Sequence, residues 1–169
     1  MLQPAYLYKD DLYKYKCKLA LDERYKYYEF DSTISFDIKT DDTSWFKIQL
    51  VSVDQNNNLI GYFSAGINRH TYHVDSLAII NFTPKANLIF SKDLKQFFLD
   101  LFNKYNFNKI NFTVVIGNPA ANMYDKLVLN YGGRVVGIYK NETKLWDGKI
   151  YDVKLYEILR EDFRYKENK

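Results

Sequence analysis

Residues 109–131 of this 169-residue chain read KINFTVVIGNPAANMYDKLVLNY, and this stretch decides the fold. β-Branched and aromatic residues dominate its first third, which predicts a buried strand over 109–116. Asn118 and Pro119 suit a helix start, because an asparagine side chain caps free N–H groups and a proline lacks one. Apolar residues then recur at helical spacing until a pair of glycines ends the pattern. The stretch therefore predicts a strand that passes directly into an amphipathic helix.

A second helix and a second strand lie directly upstream. Apolar residues recur at helical spacing from Leu94 to Tyr105, and Ser91 is placed to cap this helix. A strand over 72–82 precedes the helix, so strand, helix and strand follow one another with short links. This order predicts a right-handed crossover and parallel pairing between 72–82 and 109–116.

The rest of the chain predicts antiparallel strands around this unit. The expected fold is an α/β (α+β) domain with a mixed sheet, an antiparallel first half and helices on both faces. We expect one domain over residues 1–169, because no linker or repeat divides it, with a frayed tail over 160–169. The other predicted elements are a helix over 10–29 that breaks near Asp22, and strands over 44–53, 59–67, 134–139 and 149–159.

The composition limits the classes of function. A formal net charge of +3 is too small to indicate nucleic-acid or membrane binding, and the lysines of residues 6–28 are mixed with acids as on a solvated helix face. No apolar run is long enough to span a membrane, and no signal peptide is recognisable. Cys17 is the only cysteine, which excludes an internal disulfide, and we expect it half-buried on a helix. We therefore expect a cytoplasmic protein without membrane or nucleic-acid partners.

Two motifs carry a family resemblance. One is GNPAANMYDKL at residues 117–127, and the other is GKIYDVKLYEIL at residues 148–159. Together with the order of elements, they resemble the GNAT superfamily of acyl-CoA N-acyltransferases over about residues 45–163. The resemblance implies two middle parallel strands, here 76–82 and 110–116, that splay apart and leave backbone groups to bind the amide-rich arm of the carrier.

The resemblance also implies an activity. It implies an N-acetyltransferase that uses acetyl-CoA as cosubstrate, and no metal, to acetylate a primary amine by direct attack. His70 and His73 are close in the chain, but two histidines without nearby Cys or clustered acids are a weak metal signal. The acceptor would be a small molecule or a protein terminus, and a homodimer is compatible with this fold. The alternative is a catalytically degenerate GNAT-fold binding module that acts through protein interaction.

The resemblance assigns site residues as well. Tyr124 would protonate the leaving thiolate as a general acid. Residues 83–92 lack the glycines with which the family binds phosphate, so Lys85 and Lys92 would supply charge beside a helix N-terminus at Ser91. The other residues implied to contact the carrier are Ile79, Ile80, Asn81, Asn118 and Ala121.

The residues alone leave simpler roles open. Asn118 serves equally as a helix cap only, and Tyr124 as a core tyrosine with a bonded hydroxyl. Asp152 is expected to pair across the final hairpin. Asp75 is expected to be a surface carboxylate rather than the base that deprotonates the amine.

Overall fold

The computed structural model describes residues 1–28 and 45–164. The strands are β1 (Leu2–Pro4), β2 (Lys47–Val53), β3 (Leu59–Asn68), β4 (His73–Asn81), β5 (Lys109–Val115), β6 (Arg134–Lys144) and β7 (Ile150–Leu159). The helices are α1 (Lys9–Leu19), α2 (Leu88–Asn103) and α3 (Ala121–Asn130), with 3-10 turns at Ala5–Tyr8 and Glu23–Tyr25. The seven strands form one mixed sheet in the order β1-β2-β3-β4-β5-β7-β6. Within the described ranges, no helix is long and apolar enough to cross a membrane.

The sheet opens in its middle. β4 and β5 are joined by α2 and pair in parallel, as the crossover predicts, but only over two residue pairs that start at His73 and Lys109. Beyond these pairs, β4 continues along β3 and β5 along β7, both antiparallel. No strand pairing joins residues 75–81 to residues 111–115, all of which the structure describes. The expected splay is therefore present and leaves a gap between the two strands.

Each face of the sheet carries its own core, which confirms helices on both faces. α2 and α3 cover one face with aromatic side chains, of which Phe97 is fully buried and stacks on Phe63 of β3 at 5.4 Å between ring centroids. α1 covers the other face through Leu12 and Leu19. Burying one such side chain contributes about 1.5–3 kcal/mol, so these contacts fix the helices on the sheet.

The sheet edges differ from the predicted ones. β1 was not predicted, because three residues are too few to show a period, and it pairs with β2 at one edge. At the other edge, β6 continues beyond residue 139 to Lys144. The pairing with β7 is irregular between Tyr139 and Thr143, where Asn141 takes a φ of 53°. This polar, irregular part has no strand-like alternation, which is why the predicted strand is too short.

α1 ends at Leu19, and the predicted break near Asp22 is confirmed. The Asp22 carboxylate accepts a hydrogen bond from the backbone N–H of Arg24 at 3.0 Å and begins a separate 3-10 turn. Residue 29, the predicted end of the helix, lies outside the described residues. Cys17 is exposed rather than half-buried, because it lies on the side of α1 away from Leu12 and Leu19.

Residues 160–164 pack against α2 instead of fraying. The guanidinium of Arg160 donates to the carbonyl of Phe102 at 2.7 Å, and the ring of Phe163 stacks on that of Phe102 at 4.3 Å. The prediction of a frayed tail is therefore wrong for these residues. Their sequence is mostly charged, but it contains Phe163, whose ring packs against α2. Residues 165–169 lie outside the described part of the chain.

Candidate active site

A cavity of about 200 Å³ lies where β4 and β5 separate. β4 contributes residues 76–79 to its wall and β5 contributes residues 112–115. The turn after β5 contributes Asn118, and the first turn of α3 contributes Tyr124. The gap in the sheet thus brings an unpaired strand edge, the side-chain amide of Asn118 and a tyrosine around one space.

The ring of Tyr124 is packed like that of a core residue, while its hydroxyl faces the cavity. The residue is 6% exposed, and its ring meets the ring of Phe112 edge-on at 5.7 Å. Its hydroxyl has no hydrogen-bond partner among the described residues, where no fully buried side-chain N or O lacks one. The hydroxyl therefore reaches the open cavity. Burial, with the nearby Tyr28 and Tyr156, raises the pKa of Tyr124 well above its ordinary value of 10, so the group is protonated at neutral pH.

Asn118 closes the turn before α3 and has a free donor. Its side-chain oxygen accepts from the backbone N–H of Ala120 at 2.9 Å, and its carbonyl accepts from that of Ala121 at 2.9 Å. α3 begins after Ala120, and no side chain caps it, so these two bonds close the turn that leads into the helix and the predicted helix-cap role is wrong. The amide nitrogen of Asn118 has no partner among the described residues, and the residue lines the cavity. One side chain can thus close the turn and still donate to a ligand.

α2 begins at Leu88, three residues before the cap predicted at Ser91. The cap is Asn87, whose side-chain oxygen accepts from the N–H groups of Ile89 at 2.8 Å and Phe90 at 3.1 Å. The Ser91 hydroxyl lies inside the first turn and donates to the Asn87 carbonyl at 3.0 Å. The Ser91 prediction is wrong because Asn87 reaches the free N–H groups first, and the buried Phe90 extends the helix backwards.

The loop before α2 forms without glycine. The side-chain oxygen of Asn81 accepts from the backbone and hydroxyl of Thr83 at 2.9 and 2.7 Å, which closes a turn. None of residues 82–90 has a positive φ. The backbone N–H groups of residues 85–88 have no acceptor within the described ranges. Free N–H groups near a helix N-terminus suit an anion, and Lys85 and Lys92 are exposed residues of the same segment.

The remaining predicted carrier contacts lie in different places. Ile79 is on the cavity wall. Ile80, its neighbour on the strand, is fully buried in the core under α1. Ala121 packs against the core on the other side and is not on the cavity wall. Strand alternation explains the contrast between the two isoleucines, since neighbouring side chains point to opposite faces.

The other candidate residues lie away from the cavity. The Lys140 ammonium donates to Asp152 at 2.7 Å and lowers the pKa of its carboxyl, which confirms the expected pairing across the hairpin. Asp75 is exposed and is not on the cavity wall. His70 is exposed as well. Within residues 1–28 and 45–164, no three His, Cys, Asp or Glu side chains are grouped as metal ligands.

One wall of the cavity was missed by sequence reasoning. It is formed by Tyr27, Tyr28, Lys47, Tyr62 and Ser64. Burial raises the pKa of Tyr28 to about 12. Ser64 offered a signal, because it is a small polar residue in the mostly apolar, buried centre of β3. The two tyrosines lie within the helix predicted over 10–29, but the structure places them after the break that follows α1, on the cavity wall.

Comparison with known proteins gives structural neighbours. No family model matches the sequence, and no curated protein is significantly similar to it. A spermidine N-acetyltransferase chimera of Vibrio cholerae SpeG and hSSAT is 25% identical, with a TM-score of 0.70 over 95% of this chain and 96% of that one. Vibrio cholerae spermidine N-acetyltransferase in complex with CoA and spermine is 23% identical, with a TM-score of 0.73 over 96% of each chain. A dodecameric structure of spermidine N-acetyltransferase from Vibrio cholerae is 27% identical, with a TM-score of 0.57 over 68% of this chain and 65% of that one.

These neighbours agree with the fold that the sequence motifs resemble. The mixed sheet, the crossover through α2 and the gap between β4 and β5 are features of one architecture. The chain has the fold of the GNAT N-acetyltransferases, and its neighbours favour an enzyme that transfers an acetyl group to an amine over a binding module without activity.

Proposed function

We propose that this protein binds acetyl-CoA in the gap between β4 and β5 and transfers its acetyl group to a small primary amine. The observation that carries the proposal is the unbonded Tyr124 hydroxyl inside this gap. Aminolysis of a thioester needs a site for the carrier, a donor for the leaving sulfur and access for the amine. The cavity offers a candidate for each.

The carrier would be held mainly by backbone groups. Its amide-rich arm would pair with the open edge of residues 75–81 and accept a hydrogen bond from the free nitrogen of Asn118. Its diphosphate would lie at the four free N–H groups of residues 85–88, where the helix dipole favours an anion. Lys85 and Lys92 would add charge there. This arrangement would replace the missing glycines, since the loop needs no left-handed residue.

Tyr124 would stabilise the leaving thiolate with a hydrogen bond, and it would remain protonated at the end of the reaction. The amine nitrogen attacks the thioester carbonyl, and the carbon–sulfur bond then breaks. A thiol has an ordinary pKa of about 8.5, whereas the pKa of Tyr124 lies well above 10, so transfer of its proton alone is uphill. Tyr124 would donate a hydrogen bond to the sulfur and pass on its proton only as it receives one from the acetylated nitrogen. The net proton then moves from amine to thiolate.

The acceptor would enter along the wall of Tyr28 and Tyr62, since tyrosine faces attract alkylammonium groups. The ring of Tyr27 already carries the ammonium of Lys26 at 5.1 Å from its centroid. No carboxylate, histidine or cysteine lies on the cavity wall among the described residues, so we propose that the amine loses its proton to water before it attacks. Spermidine and spermine are the first acceptors to test, because spermidine N-acetyltransferases are among the structural neighbours.

The proposal includes a homodimer formed through β6. The β1 edge is three residues long and contains Pro4, which blocks further pairing. The β6 edge is eleven residues long, and its Val135, Val136, Ile138 and Tyr139 are 47–49% exposed. Antiparallel pairing of two copies about Ile138 would bring Tyr139 of one copy beside Gly137 of the other, where the structure has open space. An uncharged segment that fits its own copy favours a twofold dimer.

Titration with acetyl-CoA tests the proposed function. We expect the melting temperature to rise, because a ligand at about 100 times its dissociation constant adds about 2.7 kcal/mol of stability. We also expect free thiol to be released when a primary amine such as spermidine is added. Acetyl-pantetheine, which lacks the diphosphate, is the control and should stabilise the protein less. No shift at millimolar acetyl-CoA would favour the binding-module alternative.

A further inference from the structure

A polar cluster behind the cavity has no part in the proposed chemistry. Asp125 follows Tyr124 on α3, and its carboxylate accepts from the hydroxyl of Tyr156 at 2.6 Å. It also accepts from the ammonium of Lys154 at 2.9 and 3.0 Å. Both donors are on β7, and Tyr156 is fully buried. Charge-assisted hydrogen bonds of this kind are short and directional, so the cluster fixes the first turn of α3 against β7.

The charge of Asp125 is what allows it to accept from both donors. The hydrogen bonds from Tyr156 and Lys154 lower the pKa of the Asp125 carboxyl, so it is ionised at neutral pH. An ionised carboxylate is a pure acceptor with room for several donors. Asp125 and Lys154 are partly buried, with 34% and 22% of their side chains exposed. The pair is thus less screened than an ion pair on the open surface.

The cluster also reaches Tyr124 through the core. The ring of Tyr156 stacks on the ring of Phe112 at 5.0 Å and 18°. On β5, Phe112 in turn meets the ring of Tyr124 at 5.7 Å and 63°. Tyr156 is therefore connected to Tyr124 twice, through Phe112 and through Asp125. Since the Tyr124 hydroxyl has no hydrogen bond of its own among the described residues, these contacts determine where it points.

We infer that Asp125 and Tyr156 are positioning residues, which hold the hydroxyl of Tyr124 toward the sulfur of the bound thioester. The inference rests on the proposed function, because it concerns the group that would assist the leaving thiolate. Misplacing a reacting group by about 1 Å can cost about 100-fold in rate. Loss of the Tyr156 hydroxyl should therefore slow the chemical step more than it weakens binding of acetyl-CoA.

The first test compares Tyr156→Phe with a matched control. Tyr156→Phe keeps the stack on Phe112 and removes only the donor, and Asp125→Asn keeps the shape of the acceptor without its charge. We expect kcat to fall roughly 10- to 100-fold in each, with the KM for acetyl-CoA little changed. The control is Ser52→Ala, which removes a buried hydroxyl that donates to Asp93 at 2.6 Å, between β2 and α2. It should lower the melting temperature similarly and leave kcat unchanged.

A double-mutant cycle with Tyr124→Phe decides whether Tyr156 acts through Tyr124. We expect Tyr156→Phe to slow the wild type but to add no further loss in the Tyr124→Phe background. An equal loss in both backgrounds, or a Tyr156→Phe kcat equal to that of Ser52→Ala, would overturn the inference while the enzyme remains an acetyltransferase. A wild type that acetylates no amine would instead overturn the proposed function, and the inference with it.

Discussion

Tyr124 packs like a core residue, yet its hydroxyl has no partner within the part of the chain that the structure describes. The two roles weighed for it from the sequence are therefore compatible, since the ring serves the core and the oxygen faces the cavity. Asn118 also has two roles, since its side-chain oxygen accepts a hydrogen bond in the turn before α3 and its side-chain nitrogen has no partner among the described residues. Motif reasoning could find both residues because both lie in the 117–127 motif that follows β5.

Replacing Tyr124 by phenylalanine should separate its two roles. Tyr124→Phe keeps the ring and its packing, so we expect the free energy of unfolding to change little, since no hydrogen bond is lost. Binding of acetyl-CoA should persist. The rate of transfer to a good amine should fall roughly 10²- to 10⁴-fold, the usual effect of removing a positioned acid. Melting curves and steady-state rates on one sample give both quantities.

Tyr151→Phe is the matched control for this experiment. It removes a tyrosine hydroxyl that donates to Asp147 at 2.7 Å on the final hairpin. It should cost about 0.5–1.5 kcal/mol of stability and leave turnover unchanged. If Tyr124→Phe behaves like this control, its role is structural, and another group stabilises the thiolate.

The cavity wall that includes Tyr27 and Ser64 could not be predicted from the sequence. Tyr27 and Ser64 belong to segments far apart in the chain, and only the folded sheet brings them to the same cavity. Similarly, strand alternation indicates that Ile79 and Ile80 face opposite sides, but it does not say which side is the cavity. That answer depends on how far β4 and β5 separate.

Lys85 precedes α2 and Lys92 lies within it, so their proposed role in binding the diphosphate depends on where this helix starts. We expect Lys85→Ala with Lys92→Ala to weaken binding of CoA at least about 10-fold, because a hydrogen bond to a charged group contributes about 1.5–3 kcal/mol. Binding of acetyl-pantetheine should change much less, since it carries no diphosphate. Calorimetric titration with both ligands measures the difference.

Lys14→Ala with Lys18→Ala removes the same charge from the exposed side of α1 and serves as the control. This pair should leave both affinities unchanged. Equal losses for CoA and acetyl-pantetheine in the Lys85/Lys92 variant would show that those lysines do not face the phosphates. No loss at all would mean that the free backbone N–H groups suffice.

Whether a segment is a helix or a strand was easier to predict than where that helix or strand begins and ends. Strong periodicity predicted α2 and α3, and β-branched residues predicted β5. The start of α2 was misjudged because Asn87 and Ser91 are both good capping residues, and only the buried Phe90 decides between them. β1 could not be predicted, because a three-residue strand is defined by its partner β2 and not by its own pattern.

The two edge strands of the sheet, β1 and β6, differ in how well they are protected against pairing with another chain. This difference allows a test of self-association. We expect the wild type to be a dimer, and Ile138→Lys to be a monomer, because a lysine on an edge strand opposes pairing with another strand. Secondary structure and melting should be nearly unchanged, since Ile138 is 47% exposed. Sedimentation over a range of concentrations measures the association state.

Leu7→Lys, at a residue that is 59% exposed in the first 3-10 turn, adds the same charge away from β6. This control should remain dimeric. A wild type that sediments as a monomer at every concentration, or an Ile138→Lys variant that stays dimeric, would show that β6 is not the interface.

The gap between β4 and β5 has a consequence for how such a protein can diverge. A cosubstrate that fills the gap, as proposed, would act as a surrogate strand bound by peptide groups that every amino acid provides. Mutation would then be able to replace the side chains around it, and even the phosphate-loop glycines, without removing the groups that bind. Binding of this kind depends on the path of the backbone, which agrees with a sequence that matches no family model but shares the fold of an acetyltransferase over nearly its whole length.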